Sequence, residues 1–254
     1  VLMPMHFEDG FPIIGENGKV PEVVTVLDTG YQYAAINGSD DFFYKPDENG
    51  QITLKNFWEF NHQQMDDFWS VTENPGHLRL HSAKLSPTLF QAYNTLTQRT
   101  VGPKCAAEVT LRFAHMKNGD VAGISTFIGN YGFTGVKKEN DQFYLIMMGR
   151  PAKDTTVFGQ FEYENPGLEY ARVPIYGESI CLRAEADFTD KRDLSSFYYK
   201  EGDNWQKLGI DQPMYFKMDL FTGCRFGLFY YSTEQTGGYV DFSKFQFIWP
   251  EYVY

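Results

Sequence analysis

Two carboxylates at alternate positions of one predicted strand form the sharpest catalytic pattern in the sequence. Glu185 and Asp187 lie in the segment LRAEADF (182–188). Residues i and i+2 of a strand point to the same side, so these carboxyl groups could act as the acid and the nucleophile of glycoside hydrolysis. The catalytic pattern is E-x-D-x-x-E, and Asp190 stands in place of its second Glu. Asp190 is followed by a Lys191–Arg192 pair that indicates a turn. The incomplete pattern favours the alternative interpretation, a solvated strand face.

Amide and aromatic side chains in three segments suggest a second chemistry, the binding of a neutral saccharide. The segments are WEFNHQ (58–63), YNTLTQR (93–99) and NYGF (130–133). Sugars are held by ring faces that stack on aromatic side chains and by planar Asn, Gln and Arg groups that bond hydroxyl pairs. For any single aromatic residue, core packing is the alternative. The predicted carbohydrate-binding residues are Trp58, Asn61, His62, Asn94, Gln98, Arg99 and Tyr131.

A structural Ca²⁺ is the other ligand that the sequence suggests. Calcium takes six to eight oxygen ligands from carboxylates and carbonyl groups, and it is common in lectin-like sandwiches. Glu59 lies in the first predicted strands and Asp241 lies near the last one. First and last strands of such sandwiches often pair, so we expect these two carboxylates to meet across neighbouring strands. The alternative is that both are ordinary acids at strand ends.

Composition excludes several other partners and chemistries. The 254-residue chain has a formal net charge of −11, which repels nucleic acids and anionic membranes, so we expect neither as a partner. Cys105, Cys181 and Cys224 show no C-x-x-C spacing, so neither a disulfide scaffold nor a zinc knuckle is indicated. The sequence contains no G-x-S-x-G, no phosphate-binding Gly loop and no H-E-x-x-H. These observations favour a binding module.

Alternating apolar and polar residues along the chain predict the elements that must position these groups. In AAEVTLRF (106–113), Val109, Leu111 and Phe113 oppose Glu108, Thr110 and Arg112. Similar segments recur at short spacing between Gly-rich, Asn-rich and Asp-rich turns, and no helical period persists beyond one or two turns. Aromatic residues account for 17% of the chain, which supplies a large core. The sequence predicts an all-β jelly-roll sandwich of two antiparallel sheets.

The first residues differ from the rest of the chain in pattern. Residues 1–20 contain Gly-rich turns and prolines with little alternation, so we expect an extended segment there and a linker at 21–38. The sandwich is predicted to occupy 39–254. The extended segment cannot bury Phe7, Phe11, Ile13 and Ile14 by itself, so it must dock on the sandwich or on a missing neighbour.

Specific motifs across residues 39–254 resemble a known family. They include W-x-x-N-H from Trp58, N-T-L-T-Q-R from Asn94 and G-N-Y-G-x-x-G-V-K-K-E from Gly129. They closely resemble the C-terminal β-sandwich of glycoside hydrolase family 43 β-xylosidases and α-L-arabinofuranosidases, also classed as xylan-binding modules of family 91. The segment LMPMHFEDGFPIIGENGKVP resembles the end of that family's five-bladed catalytic propeller, with Phe7 and Phe11 in place of the usual tryptophans.

The resemblance implies a concanavalin A-like sandwich that accompanies a catalytic propeller in the parent enzyme. The family's catalytic carboxylates lie on the propeller, so the resemblance implies that this chain has no catalytic residues. It also implies that residues 1–20 are the propeller's last segment and that xylan or xylo-oligosaccharide is the ligand. In some relatives a late loop inserts a Phe into the propeller's pocket, and Phe221, Arg225 and Phe226 occupy the matching stretch. Two alternatives stay open: a structural domain that braces the propeller and completes its pocket, and a free-standing glycanase that uses Glu185 and Asp187.

Overall fold

The computed structural model describes residues 3–25, 27, 29–150, 164–215 and 223–249, and the following concerns these residues. The chain divides into two units, Val1–Ala34 and Ala35–Tyr254, so the division falls within the predicted linker at 21–38. Among the described residues, no helix has the length and apolar character needed to cross a membrane.

The first unit contains a β-hairpin where the sequence predicted only extended chain. Strands β1 (Met5–Glu8) and β2 (Phe11–Ile14) pair antiparallel through a two-residue turn. Asp9 and Gly10 both have positive φ, +47° and +83°, the conformation for which Asp-Gly is preferred in tight hairpins. The Asp-Gly pair is therefore the sequence signal for this hairpin, which alternation of apolar and polar residues does not reveal.

The second unit is a two-sheet sandwich, and its described strands are all antiparallel to their sheet neighbours, which confirms the predicted fold. Its strands are β3 (Glu59–Asn61), β4 (Trp69–Ser70), β5 (Leu78–His81), β6 (Thr95–Arg99), β7 (Lys104–Arg112), β8 (Asp120–Phe127), β9 (Gly132–Glu139), β10 (Gln142–Gly149), β11 (Leu168–Ile175), β12 (Ser179–Asp187), β13 (Leu194–Glu201), β14 (Asn204–Lys207), β15 (Gln212–Pro213), β16 (Arg225–Ser232) and β17 (Tyr239–Ile248). Short 3₁₀ turns lie at Asp66–Phe68, Leu89–Gln91 and Thr189–Lys191.

Each sheet has a defined strand order. The seven-stranded sheet runs β11-β10-β9-β8-β16-β6-β3, and the eight-stranded sheet runs β14-β13-β12-β7-β17-β5-β4, with β15 beside β13. The inner faces of the two sheets enclose the main core. Strand β12 shows how the pattern specifies this layer, because Leu182, Ala184 and Ala186 are buried while Arg183 and Glu185 alternate with them on the outer face.

The seven-stranded sheet is buried on both faces at its centre. Every residue of β8 and β16 is buried, so these strands lack the alternation of polar and apolar positions seen in β12. A second apolar cluster covers the outer face and includes Phe90, Tyr131, Phe133 and Phe229. Burial of such side chains contributes about 1.5–3 kcal/mol each. The aromatic excess of the sequence is thus used to build two cores.

Candidate functional site

Trp58 lies inside the sandwich rather than on a ligand-binding surface. Its side chain is 7% exposed, and its Nε1 donates to Asp40 Oδ2 at 2.8 Å. The rings of Phe42, Phe57 and Phe245 surround it at centroid distances of 6.0, 5.6 and 4.9 Å. No ring face is open for stacking on a sugar, which corrects the prediction for Trp58.

Tyr131 is also an interior residue. Its ring is fully buried against Phe90 and Phe133 in the outer-face cluster, and its hydroxyl donates to the Pro166 carbonyl oxygen at 3.2 Å. Burial raises the pKa of the phenol above its ordinary value. The prediction that Tyr131 contacts a ligand from a Gly-flanked turn is therefore corrected.

Asn94 and Gln98 are buried amide groups that hydrogen-bond to backbone. Asn94 Oδ1 accepts from Met65 N at 2.8 Å, and its Nδ2 donates to Met65 O at 3.0 Å. Gln98 pairs in the same way with Gly38 N and Gly38 O, at 2.9 and 3.1 Å. We call these two-bond pairings amide clamps. Because both side chains are nearly inaccessible, they serve the fold, and their prediction as sugar contacts is corrected.

Asn61, His62 and Arg99 are the predicted binding residues that reach the surface. Asn61 is half-buried at the end of β3, and His62 follows it with a φ of +69°, which turns the chain away from the sheet. His62 Nε2 lies 2.5 Å from the Phe90 carbonyl oxygen. The Arg99 side chain is 62% exposed and lies 3.7 Å from a Glu59 carboxylate oxygen.

His62 belongs to a cleft of about 350 Å³ between two loops. The first loop follows β3, and the second precedes β6; the Asn94 clamp on Met65 joins them. We call this site the amide–aromatic cleft. Its lining residues are His62, Gln63, Lys84, Phe90, Gln91 and Tyr93.

The amide–aromatic cleft combines the kinds of group that the sequence predicted for saccharide binding, but among its lining residues only His62 was predicted. The Tyr93 and His62 rings lie 6.1 Å apart at 48°, and the Lys84 ammonium lies 4.2 Å from the centre of the Tyr93 ring. Gln63 and Gln91 add amide donors and acceptors. The other lining residues were not predicted: Gln63, Lys84, Phe90, Gln91 and Tyr93. Gln63 and Tyr93 lie in two of the segments that the sequence singled out, whereas the other three had no signal beyond lying before Tyr93 in the chain.

Glu59 and Asp241 do not form the predicted calcium pair. Glu59 lies on the seven-stranded sheet and Asp241 on the eight-stranded sheet, so their strands are not neighbours and this prediction is wrong. Arg225 Nη2 contacts Glu59 at 2.7 Å. Asp241 accepts from Arg79 Nε and Nη2 at 2.7 and 2.8 Å and from Asn74 at 2.9 Å.

The lowered pKa of Asp241 is that of a carboxylate paired with arginine. Burial acts to raise the pKa of Asp241, but hydrogen bonds from Arg79 and Asn74 outweigh it and leave the pKa below its ordinary value. Within the ranges that the structure describes, no group of three or more His, Cys, Asp or Glu side chains is placed to hold a metal. Glu59 and Asp241 therefore do not fit a shared Ca²⁺.

Three residues were predicted to complete the pocket of the catalytic propeller, and the structure describes two of them. Phe221 lies outside the described residues. Arg225 is nearly buried, where it contacts Glu59 and donates to Thr97 Oγ1 at 3.3 Å. Phe226 is fully buried in the main core against Phe247. Neither Arg225 nor Phe226 can extend into another domain, which corrects the prediction for both.

Glu185 and Asp187 line a second cleft, of about 390 Å³, on the outer face of the eight-stranded sheet. We call it the charged cleft. Glu185 pairs with Arg183 Nη2 at 2.7 Å. Partial burial acts to raise the pKa of Asp187, but hydrogen bonds from Thr189 and Lys104 lower it to about 2. A general acid needs a raised pKa, so the environment of Asp187 opposes that role.

Comparisons with known proteins agree with this architecture. Residues 47–248 match the family described as "Beta xylosidase C-terminal Concanavalin A-like domain". A β-xylosidase of Formosa agariphila is 27% identical over 97% of this chain and 42% of its own length. A bifunctional GH43-CE protein structure from Bacteroides eggerthii is 35% identical, with a TM-score of 0.81, over 97% of this chain and 30% of that one.

A third relative is a structure of an engineered GH43 glycoside hydrolase that displays endo-xylanase and exo-arabinofuranosidase activity. It is 27% identical with a TM-score of 0.80, over 97% of this chain and 48% of that one. The chain thus spans less than half the length of each of these relatives. By the extent of the family match, the chain belongs to the C-terminal concanavalin A-like domains of the family 43 β-xylosidases.

Proposed function

We propose that this chain is the non-catalytic saccharide-binding module of a family 43 glycoside hydrolase, and that it holds xylan or xylo-oligosaccharides in the amide–aromatic cleft. The observation that carries the proposal is the convergence of the Tyr93 ring with His62, Gln63 and Gln91 around one open cleft. Aromatic faces and amides are the groups that recognise neutral sugar rings and hydroxyl pairs.

The geometry fits weak, reversible binding. The Lys84 ammonium lies over the Tyr93 ring, and because Lys84 is exposed and flexible, a sugar ring can displace it. One stacking contact contributes about 0.5–1.5 kcal/mol beyond area burial, and each neutral hydrogen bond about the same. A few such contacts yield a binding free energy of about −4 to −5.5 kcal/mol, which corresponds to a Kd of roughly 0.1–1 mM.

The names of the relatives support the substrate class. One is described as a β-xylosidase, and another as a hydrolase with endo-xylanase and exo-arabinofuranosidase activity. A parent enzyme that acts on xylan or its fragments gains local substrate concentration when an attached module holds the same polymer.

Calorimetric titration of the isolated chain with xylohexaose tests the proposal. We expect measurable binding that Tyr93→Ala weakens at least about tenfold, since the substitution removes the stacking ring and its packing. Tyr176→Ala is the matched control, because Tyr176 is 84% exposed and lies outside the cleft. The proposal fails if xylohexaose produces no heat, or if both variants bind as the unsubstituted chain does.

A second candidate function is that this chain braces the catalytic propeller of the same parent and completes its pocket. It is favoured by the exposed apolar side chains of the first unit: Met5, Phe7, Phe11 and Ile14 in the hairpin are 54–71% exposed. Such a surface marks an interaction site. In the parent enzyme, Phe7→Ser with Phe11→Ser should lower thermal stability without changing xylohexaose binding, and Phe221→Ala should lower hydrolysis. Unchanged stability and activity would exclude this role.

A further inference from the structure

The charged cleft contains a pair of cations that share a single carboxylate. Lys104, Asp187 and Leu194 lie opposite one another on β7, β12 and β13, so the sheet register places their side chains in one row on the outer face. Lys104 Nζ lies 2.9 Å from Asp187 Oδ2, and Arg192 Nη2 lies 3.3 Å from the same oxygen.

The second oxygen of Asp187 is occupied by neutral donors. Oδ1 accepts from the Thr189 backbone N at 2.9 Å and from its hydroxyl at 2.5 Å. One negative charge therefore faces two positive charges, and this end of the cleft retains a net charge of about +1. The local excess is notable because the chain as a whole carries −11.

Both cations keep donors that face solvent. The side chains of Lys104 and Arg192 are 45% and 51% exposed, and both line the cleft. Asp187 keeps its charge at neutral pH because its pKa is held at about 2, so it orients the two cations permanently. Leu194 and Ile248 provide apolar surface beside them.

In the rest of the charged cleft, no cation lacks a carboxylate of its own, and carboxylates outnumber cations when Glu108 is included. Arg183 contacts both Glu185, at 2.7 Å, and Glu108, at 3.2 Å. Lys207 pairs with Asp211 at 2.6 Å, and Asp211 also accepts from Ser196 at 2.5 Å. The cation excess is thus confined to Lys104 and Arg192.

We propose that Lys104 and Arg192 bind the carboxylate of a uronic acid residue, so that the charged cleft recognises an acidic side group of the saccharide. The proposal rests on the proposed saccharide-binding function and names a second, chemically distinct subsite for it. A carboxylate neutralises the excess charge, accepts charge-assisted hydrogen bonds from both cations, and leaves the sugar ring over Leu194 and Ile248. Along β7, the outward positions from Lys104 to Glu108 span about 13 Å. The cleft therefore has room for the sugars to which the uronic acid is attached.

Two probes test the subsite on the whole chain. Calorimetry compares xylohexaose with the same backbone bearing one glucuronic acid, and NMR titration uses methyl glucuronide alone. We expect the acidic oligosaccharide to bind about fivefold more tightly at 50 mM salt, a preference that falls at 500 mM because the pairs are partly exposed. Lys104→Gln and Arg192→Gln should each reduce the preference toward one.

Lys207→Gln is the matched control, because it removes the same charge from the same cleft at a site paired one to one with Asp211. It should keep the preference. Equal binding of the two oligosaccharides, or a preference that persists in Lys104→Gln and Arg192→Gln, overturns this subsite while the proposed function stands. If methyl glucuronide binds and xylohexaose does not, only the neutral-sugar proposal fails. If no probe binds, both fail.

Discussion

The two clefts differ in how the chain builds them. The charged cleft lies mainly on β7, β12 and β13, where the antiparallel register places Lys104, Asp187 and Leu194 in one row; of its two proposed ligand-binding cations, only Arg192 comes from the turn between β12 and β13. The amide–aromatic cleft lies between loops, and the Asn94 clamp on Met65 joins those loops. A site on regular strands keeps its geometry as long as the sheet exists, whereas a site between loops depends on individual contacts.

The outer faces of the two sheets also differ in what covers them. The centre of the seven-stranded sheet is covered by aromatic residues such as Phe90 and Phe229, and the cleft on this side lies between loops. The eight-stranded sheet presents charged and polar residues directly from β12 and β13. The two proposed binding sites thus occupy separate surfaces, and substitutions can disrupt each alone.

The largest expected effect is the loss of the Asn94 clamp. Asn94→Gly leaves Met65 N without its partner and removes one of two donors to Met65 O, which still accepts from Phe68 N at 3.0 Å. Glycine tolerates the positive φ of 56° at this position. We expect the free energy of unfolding to fall by about 2–3 kcal/mol, because one partly buried N–H is left unpaired and one hydrogen bond to Met65 O is lost. Urea denaturation measures the stability, and calorimetry should show loss of xylohexaose binding with the methyl glucuronide signal retained.

Gln98→Ala is the comparison for that variant. It removes the equivalent clamp on Gly38, which is distant in sequence from the amide–aromatic cleft. We expect a similar loss of stability with xylohexaose binding unchanged. Equal loss of sugar binding in both variants would mean that the cleft responds to stability in general and not to its own clamp.

A smaller effect is the pH dependence of the stability that Asp187 contributes in the charged cleft. Asp187 has a folded-state pKa of about 2, below its ordinary value of 3.8, so its interactions stabilise the fold above pH 3.8 and are lost as pH falls toward 2. Asp187→Asn should therefore cost about 1–2 kcal/mol of unfolding free energy at pH 7 and almost nothing near pH 2. Urea titrations of both proteins across this range measure the difference; a constant difference would contradict it.

Salt should weaken the proposed binding at the charged cleft and leave binding at the amide–aromatic cleft almost unchanged. The residues that line the amide–aromatic cleft include no carboxylate, and its proposed ligand is neutral. Raising salt from 50 to 500 mM should change xylohexaose affinity less than about twofold, since no charge pair forms on binding. Calorimetry at the two concentrations decides this, and a steep decrease would show that Lys84 contributes a charged contact.

The smallest expected effect concerns catalysis. Glu185→Gln should leave reducing-sugar release from xylan by this chain unchanged at its background, because Arg183 engages Glu185 and Asp187 has a lowered pKa. Enzymatic release that depends on Glu185 would instead support the glycanase alternative.

The fold was predictable from sequence, whereas most of the site was not. Alternation in β12 reported directly which side chains face the core. Asn94 and Gln98 were misassigned because a buried amide satisfies a backbone N–H and C=O with the same geometry that it offers to two sugar hydroxyls. Glu59 and Asp241 were misassigned because chain order does not determine which sheet each strand joins. Phe221 lies outside the described residues and stays a prediction.

The Gln98 clamp has a mechanical consequence. Gly38 lies four residues beyond Ala34, where the chain divides, and Gln98 holds it from β6, inside the sheet. Two residues later, Asp40 and Phe245 exchange a pair of backbone hydrogen bonds at 2.9 Å. Tension applied to the chain before Gly38 therefore reaches the sandwich at Gly38 and Asp40 and is shared between strands of both sheets.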